Sequence, residues 1–268
     1  MPGLPVKRHT ANRDDDGLKS VFHALDLLEV FLSHGPEISL TDLAAHAKID
    51  KANAQRLLSA LENRGYVLRS TPGRKYRLGV RPFELGSQFQ SQLDIRRAAL
   101  PELTSMAQET GQAGFLCVAD GDFALCLERI EGRYYNRIFA LRLGERQPLH
   151  CGGAPRALLS GRSHAEILAY AARTGIPKLT PQTIGDAQSL IEDANQTRSH
   201  GYAVSNEDVS AGIAAIGAPV RDHRQRVIAA ISVSGIAATY TRDRVRELSS
   251  VVVKAAERIS RQMGYVNK

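Results

Sequence analysis

Between Ser39 and Leu78 the chain reads SLTDLAAHAKIDKANAQRLLSALENRGYVLRSTPGRKYRL, and this stretch allows few local architectures. Two helix starts fall within it. Ser39 with Asp42 three residues on has the form of a capping box, and Leu40, Leu43, Ala44 and Ala47 then recur at helical spacing. After a short break at Lys48-Ile49 comes Asp50, a good N-cap because its carboxylate can accept from a free N–H of the first turn. Ala54, Leu57, Leu58 and Leu61 then form a single apolar stripe. Gly65 is placed to end that helix in the left-handed conformation. YVLRS and KYRLG flank TPGR, two short alternating runs around a Pro-Gly turn, as in a β-hairpin. Upstream, Leu18, Val21, Phe22, Leu25, Leu28 and Leu32 predict a first amphipathic helix that ends near Gly35-Pro36. Helix, helix, short turn, helix and β-ribbon is the order of a winged helix-turn-helix.

The outward side of the capped helix carries Lys51, Gln55, Arg56 and Ser59, where a merely solvated face would mix acids with bases. From Lys48 to Arg81 the bases are Lys48, Lys51, Arg56, Arg64, Arg69, Arg74, Lys75, Arg77 and Arg81, against Asp50 and Glu62 alone. Such an excess is the footprint of a surface that follows phosphates, and the whole chain carries a formal charge of +7. A major groove admits one helix, where Arg pairs with guanine O6/N7 and Gln or Asn with adenine. Lys51, Ala52, Asn53, Gln55 and Arg56 are therefore the expected groove residues, with Arg74 and Lys75 of the wing on the backbone or minor groove. Trp is absent and aromatics are scarce, which disfavours stacking on single strands.

Residues 1–16, MPGLPVKRHTANRDDD, read as a disordered tail without the apolar core of a signal peptide. With residues 17–80 as the winged domain, 81–96 are expected to form a linker helix within a helical region from about Arg81 to Gly111. Pro82 and Pro101 are placed near helix starts. Beyond Gly111 the texture changes. FLCVA, ALCLERI, RIFALRL and VIAAISVSG are strand-like; LLSGRSHAEILAYAARTG, DAQSLIEDANQTRSHG and the final TRDRVRELSSVVVKAAERISRQMG are helix-like. The last helix carries Val245, Leu248, Val252, Ala255 and Ile259 on one side. Residues 97–268 are thus expected to be an α+β domain with a largely antiparallel sheet, and the whole chain a two-domain α+β protein.

No run of eighteen apolar residues is present, so no membrane span is expected. Cys117, Cys126 and Cys151 form no CxxC pair; they fit a reduced cytosolic protein better than a disulfide scaffold and suggest no zinc site. Cys117 and Cys126 flank Asp120-Gly121-Asp122. A turn centred on Gly121-Asp122 would set them opposite each other, a redox pair, whereas a turn at Asp120-Gly121 would separate them. Cys151 beside His150 invites a nucleophile reading. Neighbours in a strand point to opposite faces, so His150 is taken as structural. No cofactor, no metal and no catalytic residue is expected.

LKSVFHALDLLEVF, ISLTDLAAHAKIDKANAQRLLSALENRGYVLRS and KYRLGVRPFELG resemble the DNA-binding domain of IclR-type bacterial transcriptional regulators. LGERQPLHCGGAPRALLS and GYAVSNEDVSAGIAAIGAPVRDHRQRVIAAISVSG resemble the effector domain of the same family, so that the likeness runs from about Leu18 to Tyr265. Ala52 and Asn53 stand where that family commonly has Ser-Thr, while Lys51 and Arg56 keep its basic positions. The resemblance implies a dimer or dimer of dimers and a GAF-like effector-binding domain. By the same resemblance, backbone N–H groups at Gly153 and Ala154 meet the effector, Ser232 and Ser234 face it, and Ser205 and Ala215 complete the pocket. Gly152 and Pro155 replace the usual Thr/Ser and Gly of the loop. Ala215 and Gly217 are small, which leaves room for a bulkier effector such as an aromatic acid.

The expectation is a cytoplasmic, homo-oligomeric regulator of a catabolic operon, with operator DNA and a small organic acid as partners. The competing expectation is a small-molecule-binding or hydrolytic domain with a basic protein-interaction appendage.

Overall fold

The structure, a computed structural model, describes residues 18–70, 75–91, 94–133 and 141–266. The expected tail at 1–16, the Pro72-Gly73 turn with Arg74, and most of the RIFALRL strand lie outside the described residues. The chain divides into two compact units, Met1–Gln92 and Leu93–Lys268.

The first unit runs α1 (Lys19–Val30), β1 (Ile38–Ser39), α2 (Leu40–Ala47), α3 (Lys51–Asn63), β2 (Val67–Arg69), β3 (Lys75–Leu78) and α4 (Arg81–Ser91). Both expected caps form: Ser39 Oγ accepts from Asp42 N–H at 3.2 Å and the Asp50 carboxylate from Asn53 N–H at 2.8 Å. The Asp42 side chain meets the Ser39 hydroxyl at 2.7 Å, so the cap lacks the reciprocal bond to backbone of a full capping box. Lys48 takes the left-handed conformation at φ 57°, which turns α2 into α3 within three residues. Gly65, at φ 76°, ends α3 as read, and Tyr66 N–H reaches back to Leu61 O.

The first helix forms, but of the six residues read along it only Leu28 packs against the core. Leu27, Val30 and Phe31 are buried with Leu43, Ala44, Ala54, Leu57 and Leu58, while Leu18, Val21, Phe22, Leu25 and Leu32 are exposed. The helix carries two apolar stripes, and only one can cover α2 and α3. The ribbon also gains a strand the sequence reading missed: β1 pairs with β3, Ser39 opposite Lys75, giving an antiparallel sheet in the order β1-β3-β2. Its base is locked to the end of α3. Gly79 N–H donates to Tyr66 O at 2.8 Å and Arg81 N–H to Gly65 O at 3.1 Å. A β-carbon on Gly79 would lie 2.1 Å from the Gly65 carbonyl oxygen, so only glycine lets the two segments approach this closely.

The second unit runs α5 (Asp94–Thr110), β4 (Ala113–Asp120), β5 (Phe123–Ile130), β6 (Arg146–Pro148), α6 (Gly153–Leu159), α7 (His164–Thr174), α8 (Ala187–His200), β7 (Ala203–Asn206), β8 (Ile213–Arg221), β9 (Val227–Ile236) and α9 (Arg242–Gln262). Pro101 lies inside α5 rather than near its start. The segment read as one helix from Leu158 to Gly175 is two, because Ser163 and Glu166 form a capping box that starts α7 anew.

The strands build one antiparallel sheet in the order β6-β5-β4-β9-β8-β7. Each face has its own core. Leu116, Ile216, Ile231 and Val233 pack with Leu103, Leu248, Val252 and Ile259 of α5 and α9. Phe115, Cys117 and Ala230 pack on the other side with Ala154, Leu158, Ile167 and Leu190 of α6, α7 and α8. Strand alternation sorts the residues: within β4, Phe115 and Cys117 go to one core and Leu116 to the other. No helix among the described residues is long and apolar enough to cross a membrane.

Candidate DNA-reading helix and effector face

In the first unit, α3 buries Ala54, Leu57 and Leu58 and leaves Lys51, Ala52, Gln55 and Arg56 exposed. Asn53 differs. Its side chain is half-buried, and its Nδ2 lies 3.4 Å from Nδ1 of His23 on α1. Its Oδ1 accepts from Arg56 Nη2 at 3.1 Å, so Asn53 holds the arginine over the first turn rather than standing free. Lys75 and Arg77 are exposed on the ribbon, and Arg69 lies 6.0 Å from the Tyr76 ring centroid. Arg74 lies outside the described residues. The three outward polar groups of α3 and the ribbon lysine are the parts of the expected reading set that this unit presents to solvent.

In the second unit, strand register assembles the other set. Ser205 lies opposite Ala215, Ala215 opposite Ser234, and Ser234 opposite Ala113. Two residues along, Ala203, Gly217, Ser232 and Phe115 make a parallel row. Residues directly opposite in a sheet share a face, so Ser205, Ala215, Ser232 and Ser234 all project to the side that α6 covers. Gly153 and Ala154 open α6 and lie on that same face. A β-carbon on Gly217 would sit 2.3 Å from the Gly153 carbonyl carbon, so the start of α6 rests directly on β8. Pro155 is the third residue of α6, where its missing N–H is one that the first turn leaves without an intrahelical acceptor. All six residues implied by the resemblance therefore meet, and each is buried except the half-buried Ser234.

The sequence reading missed the charged cluster beside them. Ser205 Oγ donates to Asp208, a fully buried carboxylate that also accepts from Gly152 N–H at 3.2 Å and Arg156 Nη1 at 3.0 Å. Arg156 continues to Asp193 through Nε at 2.9 Å and through Nη2, and to Val204 O at 2.8 Å. Burial works against the Arg156 charge, yet the Asp193 hydrogen bonds and the charges of Asp193 and Asp208 outweigh it and hold the guanidinium protonated beyond its ordinary range. Its Nε, Nη1 and Nη2 all donate to protein acceptors, so it organises the loop before α6 instead of offering donors to a ligand. Only its residue type was legible, because the partners stand 37 and 52 positions away.

His150 and Cys151 lie in the turn between β6 and α6, not in a strand, so the alternation argument does not apply to them. Both imidazole nitrogens are nevertheless occupied. Nε2 faces the Pro177 carbonyl at 3.0 Å, which can only accept, so Nε2 carries the hydrogen and Nδ1 takes the Tyr170 hydroxyl proton at 2.7 Å. Burial lowers the His150 pKa despite the carbonyl and Asp208. Burial and then Asp208 push the Cys151 thiol up to about 12, which keeps it protonated and unreactive at neutral pH.

The β4–β5 hairpin turns at Gly121-Asp122, with Asp120 opposite Phe123, and this register sets Cys117 opposite Cys126. Both thiols are buried and free. The Cys126 backbone bonds outward to Gly144 and Glu145, so Cys117 and Cys126 are a non-hydrogen-bonded pair, the closer kind. The Cys126 side chain and burial together raise the Cys117 pKa.

Comparison with known proteins bears on both units. A family model described as the IclR helix-turn-helix domain matches residues 20–70, and one described as the bacterial transcriptional regulator IclR C-terminal domain matches residues 87–261. The chain is 35% identical to the HTH-type transcriptional regulator KipR of Bacillus subtilis over 92% of its length and 98% of that protein. The Thermotoga maritima IclR crystal structure shares 28% identity and a TM-score of 0.77, over 92% of this chain and all of that one. An IclR homologue from Microbacterium hydrocarbonoxydans, crystallised with 4-hydroxybenzoate, shares the fold at a TM-score of 0.82 and 22% identity, over 92% of this chain and 99% of that one.

Proposed function

The chain belongs to the IclR family of DNA-binding bacterial transcriptional regulators, and from that premise we propose that it is a cytoplasmic homo-oligomer that couples a small organic acid to control of a catabolic operon. Lys51, Ala52, Asn53, Gln55 and Arg56 read the major groove of operator DNA, Asn53 by orienting Arg56, while Arg74 and Lys75 follow the backbone or minor groove. Gly153, Ala154, Ser205, Ala215, Ser232 and Ser234 hold the effector. The observation that carries this reading is the register that lines Ser205, Ala215, Ser232 and Ser234 along one sheet face beneath Gly153 and Ala154.

Assembly has its own support. Leu18, Val21, Phe22 and Leu25 expose one side of α1, and Phe83 and Leu85 are exposed on α4. Apolar area of this extent, within a unit that has already filled its core, suits a second copy of the chain. Two copies would present two α3 helices to a pseudo-palindromic site. To regulate at all, the effector must bind one DNA-binding state of the oligomer better than another.

Selection of genomic fragments by the purified protein, followed by anisotropy titration at several salt concentrations, tests the proposal. A preferred fragment is expected, with log K falling by about 0.9 per neutralised phosphate against log salt over several contacts. Equal affinity for all fragments would sink operator recognition. Effector binding is read by thermal shift with keto acids, aliphatic diacids and hydroxybenzoates. About 100 Kd of ligand adds roughly 2.7 kcal/mol. An identical response in Ser234→Ala would remove the sheet face from the reading.

A further inference from the structure

We propose that Arg129 is the anion-recognising group of the effector face, and that the effector therefore carries a carboxylate directed at the β4–β5 end of the sheet. The inference rests on the reading of that face as the effector site and adds a residue that neither the resemblance nor the pocket positions above include.

Arg129 lies opposite Phe115 across β4 and β5, Phe115 opposite Ser232, and Ser232 opposite Gly217. The arginine thus extends the row that holds Ser232, on the same side of the sheet. The guanidinium confirms that direction, since its carbon stands 5.8 Å from the centroid of the Phe115 ring, itself buried. Phe115 stands between Arg129 and Ser232 in that row, and the guanidinium lies against its ring.

The Arg129 side chain is only 14% exposed, yet among the described residues its buried Nε has no hydrogen-bond partner. Among the described residues its one side-chain acceptor is Glu131, half exposed and 3.2 Å from Nη2. A guanidinium has five N–H donors and no acceptor, and an enclosed one is costly to leave unfilled. Arg156 shows the alternative nearby: two carboxylates and a carbonyl consume its donors. Of these two enclosed arginines, Arg129 alone keeps a buried donor in hand. A carboxylate fits its planar fork in a way that a neutral amide or hydroxyl does not. The serine hydroxyls then meet the polar groups at the effector's other end.

The test uses the full chain and matched probes: 4-hydroxybenzoate, benzoate and acetate, each against its amide, titrated by calorimetry up to millimolar concentrations. The wild type is expected to favour at least one acid over its amide. Arg129→Gln is expected to weaken that acid on the order of 10- to 100-fold and to abolish the preference, with amide affinity unchanged. Ser234→Ala should weaken acid and amide alike. Should Arg129→Gln fail to fold, Glu131→Gln decides: loss of the competing carboxylate should tighten acid binding by about two- to five-fold and leave the amide alone. Acid preference intact in Arg129→Gln, or unmoved in Glu131→Gln, overturns the role of Arg129 while leaving the effector face standing if Ser234→Ala still weakens both probes. No acid bound by the wild type, or equal binding in all variants, overturns the inference and the face together.

Discussion

The two units display their polar groups in opposite ways. On α3 the groups are exposed, spaced by one helix, and held by little beyond the Asn53–Arg56 contact. On the sheet face they come from strands far apart in sequence and are enclosed by α6 and its loop. The difference is what the proposed function would require of each. A duplex is too large to be enclosed, so its reader must be a finished surface. A small molecule can be surrounded, so its site can be cut from the same core that stabilises the unit. Residues in the first place are then cheap to change for folding and costly for binding, while those in the second are costly for both.

The largest test of that contrast is Arg156→Ala. It strands Asp193 and Asp208, both largely buried, and should cost about 3–5 kcal/mol of the second unit's stability, seen as a lowered urea midpoint. A midpoint unchanged from the wild type would break the claim that site and core are one there. Arg56→Ala is the mirror case. It should reduce specific DNA affinity by roughly 10- to 100-fold. Its stability should stay within about 0.5 kcal/mol of the wild type. Loss of fold together with binding would show that α3 is not the independent surface described. Asp50→Ala separates support from reading in the same helix: loss of the cap should cost about 1 kcal/mol of stability and leave base preference as it was.

The smallest effect is a pH dependence confined to the second unit. His150 has a folded pKa below its ordinary 6.5, mainly through burial. Its folded state binds fewer protons than its unfolded state, so its contribution is complete above 6.5 and is lost as pH falls below that value toward the folded pKa. Urea midpoints between pH 8 and pH 5 should decline in the wild type, and less steeply in His150→Gln.

What the sequence made legible follows the same division. Caps and stops are local, so Ser39, Asp50 and Gly65 could be read, and with them the order of the winged domain. The inward stripe of α9 was legible because it is that helix's one apolar side. On α1 two stripes compete, and only the neighbours decide which is covered; of the residues read along it, all but Leu28 face solvent. Register across strands is not local at all. For Cys117 and Cys126 two turns were open, and the structure takes the one centred on Gly121-Asp122. The six expected effector positions came from a family likeness, whereas Asp208, Arg156 and Arg129 acquire their meaning only from partners that the fold brings to them.

With Gly79 pressed on the Gly65 carbonyl and two backbone bonds beside it, the ribbon has no hinge at its root. The end of α3 and the base of the wing behave as the two jaws of a caliper fixed at one opening. If α3 and the wing engage a duplex as proposed, such an instrument would measure it before reading it: a groove of the wrong width would be refused by the backbone spacing, ahead of any comparison of side chains with bases.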